Sequence, residues 1–75
     1  MTTLADLRIN GQGTVTEVLG SDEVSVRLLE MGLVPGTEIR VIGFAPLGDP
    51  VEIEVRGYRL SVRKSEAAHV LVAIA

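Results

Sequence analysis

Few side chains in this sequence could carry out chemistry, and the first is its one histidine, His69. The chain has no cysteine, so a nucleophile with its base, or a metal site, would have to be built around His69 alone. Iron and zinc sites usually recruit several histidine, cysteine or carboxylate ligands. Because its neighbours are largely apolar and no second histidine exists, we expect His69 to lie at the rim of the fold. We predict no metal site.

Two carboxylates, Glu52 and Glu54, are near enough to each other in the sequence for acid–base chemistry. They alternate without a fault with Val51, Ile53 and Val55, and this alternation is typical of a strand that is buried on one face only. The two glutamates then belong to the solvent side of that strand. The sequence has no phosphate-binding or dinucleotide-binding glycine loop, so we expect neither an enzyme nor a bound cofactor.

Arg56 and Arg59 are basic residues that a hairpin would bring together. Residues 51–56 and 59–63 both alternate, and a two-residue loop at 57–58 suits a type II′ turn because its first residue is glycine. This register sets Arg56 opposite Arg59. Two guanidinium groups side by side cost the hairpin a little stability, which leaves two interpretations: they bind an anion or a partner, or they splay apart in solvent.

One short helix, predicted within residues 21–36 (SDEVSVRLLEMGLVPG), positions the other candidate residues. Ser21 or Asp22 can cap its first turn. Gly32 can adopt the left-handed conformation that ends a helix, and Pro35 follows. Residues 34–37 have the pattern of a type II turn.

The predicted helix has two apolar faces, which is more than a small barrel easily covers. The first face consists of Val24, Leu28 and Met31, the second of Val26 and Leu29, and Glu23 and Arg27 form an i,i+4 ion pair between them. Two interpretations of the second face stay open at this point. It packs on the flanking loops, or it faces a partner.

The rest of the chain predicts strands and turns. Residues 43–50 hold two prolines and two glycines, too many for a strand within a sheet, and Ser65 can cap one further helical turn. We expect the apolar C-terminal tail to be paired in the sheet. The predicted strands are residues 13–19, 38–42, 51–56, 59–63 and 69–72. We therefore predict a mainly β fold, a small barrel with one short α-helix after the first strand, in a single domain spanning residues 1–75.

Composition limits the environment and the partners of this domain. The formal net charge is −3, with one tyrosine, one phenylalanine and no tryptophan, which argues against nucleic-acid binding because that needs a basic footprint and stacking platforms. The longest apolar run is far too short to span a bilayer, so we expect no direct membrane insertion. The absence of cysteine fits a cytoplasmic location.

Two longer strings of residues can be compared with the signatures of known families. RLLEMGLVPGTEI at 27–39 and APLGDPVEIEVRGYRLSVRKSEAAHVLV at 45–72 resemble the signature of the FeoA family, collinearly over nearly the whole chain. The resemblance implies an SH3-like, partly open five-stranded barrel. It also implies an accessory role in bacterial ferrous iron uptake, at the inner face of the membrane, through contact with the cytoplasmic GTP-binding part of the transporter FeoB.

Several positions that recur in the family serve turns, but others are not obviously required by local geometry. We expect those to contact the partner, together with the end of the helix and the two hairpin arginines. The candidate partner-binding residues are Arg27, Leu29, Met31, Gly32, Leu33, Pro35, Leu47, Asp49, Arg56 and Arg59.

Two further hypotheses remain beside partner binding. A metal-responsive SH3-like module would sense or bind a divalent transition metal such as iron directly, although the sequence offers few nitrogen or sulfur ligands. A nucleic-acid-binding SH3-like barrel is disfavoured by charge and by the lack of aromatics. Self-association into a homo-oligomer is also left open, because a short barrel with surplus apolar surface can pair with itself.

Overall fold

The structure is a computed structural model that describes residues 1–74. In chain order its elements are β1 (Gln12–Val18), α1 (Glu23–Glu30), β2 (Glu38–Phe44), β3 (Val51–Val55), β4 (Tyr58–Val62), α2 (Lys64–Ala67) and β5 (Val70–Ile74), with single 3₁₀ turns at Leu4–Asp6 and Pro46–Gly48. The strands form one antiparallel sheet in the order β4-β3-β2-β1-β5. This confirms the predicted mainly β fold with a short helix after the first strand. Among the described residues, no helix is long and apolar enough to cross a membrane.

The core lies on the sheet face to which β3 turns its aliphatic side chains. Val51, Ile53 and Val55 are fully buried, as strict alternation on a half-buried strand requires. Glu52 lies exposed on the other face, as predicted. Leu28 of α1 is also fully buried and belongs to the same cluster, so the helix closes the core rather than standing away from it.

A β-bulge in β1 explains why the alternation of that segment is imperfect. The pairing with β5 shifts register between Val15 and Glu17, which leaves Thr16 as the extra residue. Its hydroxyl donates a hydrogen bond to the carbonyl oxygen of Leu71 at 3.2 Å. A bulge bends the strand and increases its twist, and such a bend helps a short sheet to curl around its core.

The hairpin between β3 and β4 corrects the predicted register. Val55 pairs with Tyr58, so the two-residue loop consists of Arg56 and Gly57. Both loop residues have positive φ, 48° and 84°, as a type I′ turn requires. Arg56 therefore does not face Arg59. The prediction was wrong because two registers that differ by two residues bury the same face, and alternation alone cannot separate them.

Helix α2 corrects a second prediction, that Ser65 caps it. The helix begins at Lys64, with Arg63 at the cap position two residues before Ser65, so Ser65 lies inside the helix. The side chain of Asp49 accepts a hydrogen bond from the Lys64 N–H at 3.0 Å. The cap thus comes from a loop 15 residues away in the sequence, which no local pattern could indicate.

The C-terminal strand is paired, as predicted for the apolar tail. Val70–Ile74 pairs with β1, while Ala75, the last residue of the predicted tail, lies outside the described residues. The outer edge of β5 is covered by the N-terminal segment. Thr3 forms an isolated bridge with Leu71, and the Val72 N–H donates to the Thr2 carbonyl at 3.0 Å.

Candidate partner-binding surface

The start of α1 is fixed by Asp22. Its Oδ1 accepts a hydrogen bond from the Ser25 N–H at 3.1 Å, which settles the choice between Ser21 and Asp22 as the cap. Such a side-chain bond satisfies one of the N–H groups that the first helical turn leaves free. The first residue of α1 is therefore set by a contact within its own segment.

A Schellman motif ends the same helix. Gly32, with φ +105°, donates its N–H to the Leu29 carbonyl at 3.0 Å, and Leu33 donates to the Leu28 carbonyl at 3.1 Å. The motif turns Leu33 into the core beside Leu28, and both side chains have 0% exposure. This burial corrects the prediction that Leu33 contacts a partner, because its side chain has no accessible surface for one.

The second apolar face of α1 lies at the surface. Val26 is 51% exposed and Leu29 is 38% exposed, and three residues apart on a helix they point in nearly the same direction. The flanking loops do not bury this face, so the interpretation that it packs on them is wrong. We call Val26 and Leu29 the α1 apolar face.

The C-terminal end of α1 is held by Tyr58, a residue at the start of β4. The Tyr58 hydroxyl donates a hydrogen bond to the Met31 carbonyl oxygen at 2.6 Å. A Cβ added at Gly32 would lie 2.5 Å from that hydroxyl oxygen, so the contact requires glycine. Sequence reasoning missed Tyr58, since its place at a strand end gives no signal beyond its being the one tyrosine in the chain.

Arg27 links α1 to α2. Its guanidinium forms an ion pair with the Glu66 carboxylate instead of the predicted pair with Glu23, which is a correction. The Glu66 side chain is only 13% exposed, and a carboxylate so covered needs a charged partner more than the solvated Glu23 does. Sequence reasoning missed Glu66 because the two residues are 39 positions apart.

A shallow groove of about 310 Å³ lies beside this ion pair. It is lined by one residue each from α1, β4 and α2 and by three residues next to the ends of α1, β3 and α2. They are Arg27, Met31, Pro50, Ser61, Arg63 and Glu66. Met31, one of the predicted contacts, is half-buried. The groove therefore brings Arg27 and Met31 together on one side of α1, around the helix from the α1 apolar face.

The loop residues among the predicted contacts lie in two turns. Pro35 is exposed in a turn closed by a hydrogen bond from the Thr37 N–H to the Val34 carbonyl at 3.1 Å. Leu47 lies between β2 and β3, fully exposed and with φ +73°, an unusual conformation for a bulky side chain. Asp49 is also exposed, but its capping of α2 already gives it a structural role.

The two hairpin arginines have separate surroundings. Arg56 donates a hydrogen bond from Nη2 to the Thr37 hydroxyl at 3.2 Å. Arg59 is paired across the strands with Glu54, whose carboxylate forms an ion pair with Arg40 at 3.2 Å. Arg56 and Arg59 therefore have different contacts and do not face each other across the hairpin.

The potential metal ligands are dispersed. His69 is exposed, and its carbonyl oxygen accepts the Leu19 N–H at 2.7 Å. Within residues 1–74, no three His, Cys, Asp or Glu side chains are close enough together to hold a metal ion. On α1, by contrast, the exposed side chains of Val26 and Leu29 stand on a helix whose two ends are held by hydrogen bonds.

Comparison with known proteins decides the family. Residues 2–74 match the model of the FeoA domain. The chain belongs to the FeoA family. It is also 38% identical, over 69 residues, to the Fe(2+) transport protein A/Fe(2+) transporter FeoB fusion protein of Porphyromonas gingivalis. That match covers 92% of this chain and 8% of the fusion protein, so the chain spans a small part of the length of this relative.

Solved structures of FeoA proteins share the fold of the chain. The FeoA-like protein of Clostridium acetobutylicum is 40% identical with a TM-score of 0.89, and the match covers 99% of this chain and 90% of that one. FeoA of Stenotrophomonas maltophilia, solved in complex with zinc, is described as a prokaryotic SH3 domain protein. It is 32% identical with a TM-score of 0.85, and the match covers 97% of this chain and 91% of that one. The five-stranded open sheet is thus SH3-like, as the resemblance implied.

Proposed function

We propose that this FeoA-family chain is an accessory component of ferrous iron uptake and acts by binding the cytoplasmic GTP-binding part of a FeoB-type transporter. The observation that carries the proposal is the fusion relative, whose name assigns a transport protein A part and a FeoB part to one polypeptide. Fusion keeps two modules at high effective concentration, which benefits modules that bind each other. On this proposal the chain lies in the cytoplasm, at the inner face of the membrane, through its partner.

The α1 apolar face is the docking surface that we propose for this partner. Val26 and Leu29 are large aliphatic side chains that remain at the surface of a rigid helix, and apolar residues of this kind anchor helix-mediated contacts. The helix is fixed at its start by the Asp22 cap and at its end by the bond from Tyr58. A face held at both ends loses little conformational entropy when a partner covers it.

A pull-down with the purified cytoplasmic domain of FeoB from the same organism tests this docking surface. Leu29→Glu places a charge in the centre of the contact and should weaken binding about tenfold or more. Ile9→Glu is the matched control, because it places the same charge at another exposed aliphatic residue, 55% exposed in the turn before β1. This variant should bind as the unmodified chain does. Equal binding by a folded Leu29→Glu variant would contradict the choice of surface.

Direct metal binding is the second candidate function. One observation favours it, the zinc complex of the S. maltophilia relative. Calorimetric titration of the chain with ferrous iron under anaerobic conditions separates the two candidates. A saturable site with a stoichiometry near one would support metal sensing, whereas the absence of such a site, together with FeoB binding, supports the accessory role.

A further inference from the structure

The two edge strands of the sheet, β5 and β4, differ in whether another segment of the chain pairs with their outer edge. The outer edge of β5 is covered by the N-terminal segment through the Thr3–Leu71 bridge and the Val72-to-Thr2 hydrogen bond. The outer edge of β4 forms no bridge with any other strand or segment among residues 1–74. An open edge is a template for pairing with another chain, so β4 is the place where this sheet can be extended.

The pairing of β4 with β3 shows which backbone groups point outward. Val55 and Tyr58 flank the two-residue loop, and in such a hairpin this first pair exchanges both of its hydrogen bonds. Alternation then directs the N–H and C=O groups of Arg59 and Ser61 away from β3. Within the described part of the chain, neither residue makes another hydrogen bond through these groups.

This open edge is also the most basic part of an acidic protein. Residues 55–65 include no aspartate or glutamate, and they hold four of the seven basic residues of the chain: Arg56, Arg59, Arg63 and Lys64. The ion pairs formed among residues 1–74 use none of these four. Arg59 and Ser61 of β4, and Arg63 directly after it, are all exposed. Their spacing of two residues places them on one face of this segment.

We propose that the β4 edge binds an extended acidic segment of a partner protein by strand addition. The backbone groups of Arg59 and Ser61 supply the main-chain hydrogen bonds. Arg59 selects a carboxylate directly opposite it on the added strand, and Arg63 reaches across the diagonal to a second carboxylate, opposite Ser61. Strand β3, on the inner edge of β4, already has this arrangement of carboxylates, since Glu54 lies opposite Arg59 and Glu52 lies opposite Ser61. The site is separate from the α1 apolar face and does not depend on the identity of the partner that docks there.

Titration of the isotope-labelled 75-residue chain with a synthetic peptide tests the proposal by NMR. The probe is PVEIEV, the sequence of residues 50–55, with both ends blocked, and its counterpart PVQIQV lacks the charges. With PVEIEV we expect saturable shifts centred on residues 58–63 and slower amide exchange at Arg59 and Ser61. PVQIQV should bind about tenfold more weakly, because it loses two charge pairs across the strands, each of which contributes a modest amount.

Variants of the chain test whether the outward backbone groups of β4 bind the peptide. Ser61→Pro removes an outward N–H without touching the ladder to β3, which an edge strand tolerates, and it should abolish peptide binding while Ser61→Ala and Leu29→Glu retain it. If Ser61→Pro fails to fold, Arg59→Gln should still weaken PVEIEV and leave PVQIQV unchanged.

Three results would overturn the proposal. They are no saturable shift with PVEIEV, equal binding of the two peptides, and retention of peptide binding by folded Ser61→Pro. Binding to vesicles of phosphatidylglycerol and phosphatidylcholine, with no response to PVEIEV, would instead make the basic edge a membrane contact and would equally contradict strand addition.

Discussion

Gly32 meets two independent constraints at the end of α1. Its φ of +105° lies where side chains are disfavoured, and the Tyr58 hydroxyl occupies the space that a Cβ would need. The first constraint could be predicted from the sequence, because glycine after an amphipathic segment is typical of a helix end. The second could not, since it depends on a residue 26 positions further along the chain.

Comparison of two glycines separates these constraints. Gly36 also has a positive φ, +94°, but nothing lies within 4 Å of its Cβ position. Gly36→Ala should therefore cost about 1–2 kcal/mol of unfolding free energy from backbone strain alone. Gly32→Ala should cost about 1 kcal/mol more, because it displaces the Tyr58 hydroxyl from the Met31 carbonyl.

Urea unfolding of both variants, with and without Tyr58→Phe, measures the difference. The excess cost at Gly32 should disappear in the Tyr58→Phe background, as expected for two residues that share one contact. An excess that persists without the hydroxyl would show that this contact is not its cause.

Asp6, in the N-terminal turn, makes the free energy of unfolding depend on pH. The backbone N–H of Thr3 and then its hydroxyl donate to the Asp6 carboxylate at 2.9 and 3.2 Å, and these bonds lower the pKa of Asp6 from its ordinary value of 3.8. A lowered pKa in the folded state means that the ionised form stabilises the fold. This contribution is present above the ordinary pKa and is lost as the pH falls through the lowered one.

The difference in unfolding free energy between the unmodified chain and Asp6→Asn should thus follow pH. It should be constant above about pH 5 and should shrink as the pH falls below about 4. Chemical denaturation at a series of pH values measures it. A difference that grew towards low pH would have the wrong sign and would contradict the role of these hydrogen bonds.

At the scale of elements, the features set by neighbouring residues could be predicted from the sequence, and the features set by distant residues could not. The limits of α1 follow from Asp22 and Gly32, which act within one turn of it. The start of α2 depends on Asp49, and the position of α1 depends on Tyr58, both far away in the sequence. The hairpin register was wrong for a related reason: the choice between two registers that bury the same face rests on the conformation of Arg56, φ +48°, which strand alternation does not encode.

Asp49→Ala tests the cap that joins the loop to α2. Loss of the acceptor for the Lys64 N–H should cost about 1 kcal/mol of unfolding free energy, whereas Asp49→Asn, which keeps an oxygen acceptor, should cost less. Thermal unfolding followed by circular dichroism measures both. Binding of FeoB by Asp49→Ala shows whether this residue has a contact role besides its structural one, and a variant of normal stability would contradict the cap.

At the scale of the whole molecule, the sheet could be predicted because its strands alternate and its turns are marked by glycine and proline. Residues 51–55 illustrate this, with every apolar side chain in the core and the intervening positions outward. The sequence predicted a second apolar face on α1, but it left open whether that face packs on the flanking loops or faces a partner. The structure leaves Val26 and Leu29 exposed, which agrees with an interaction surface but does not name the partner.

The central claim, that the chain binds the cytoplasmic GTP-binding part of FeoB, is tested most directly by isothermal titration calorimetry. The chain is titrated into that domain from the same organism, loaded with GDP or with a GTP analogue. We predict saturable binding in the micromolar range or tighter in at least one nucleotide state, as expected for a regulatory contact of modest area. Absence of binding in both states, with both proteins folded and the nucleotide bound, would contradict the account.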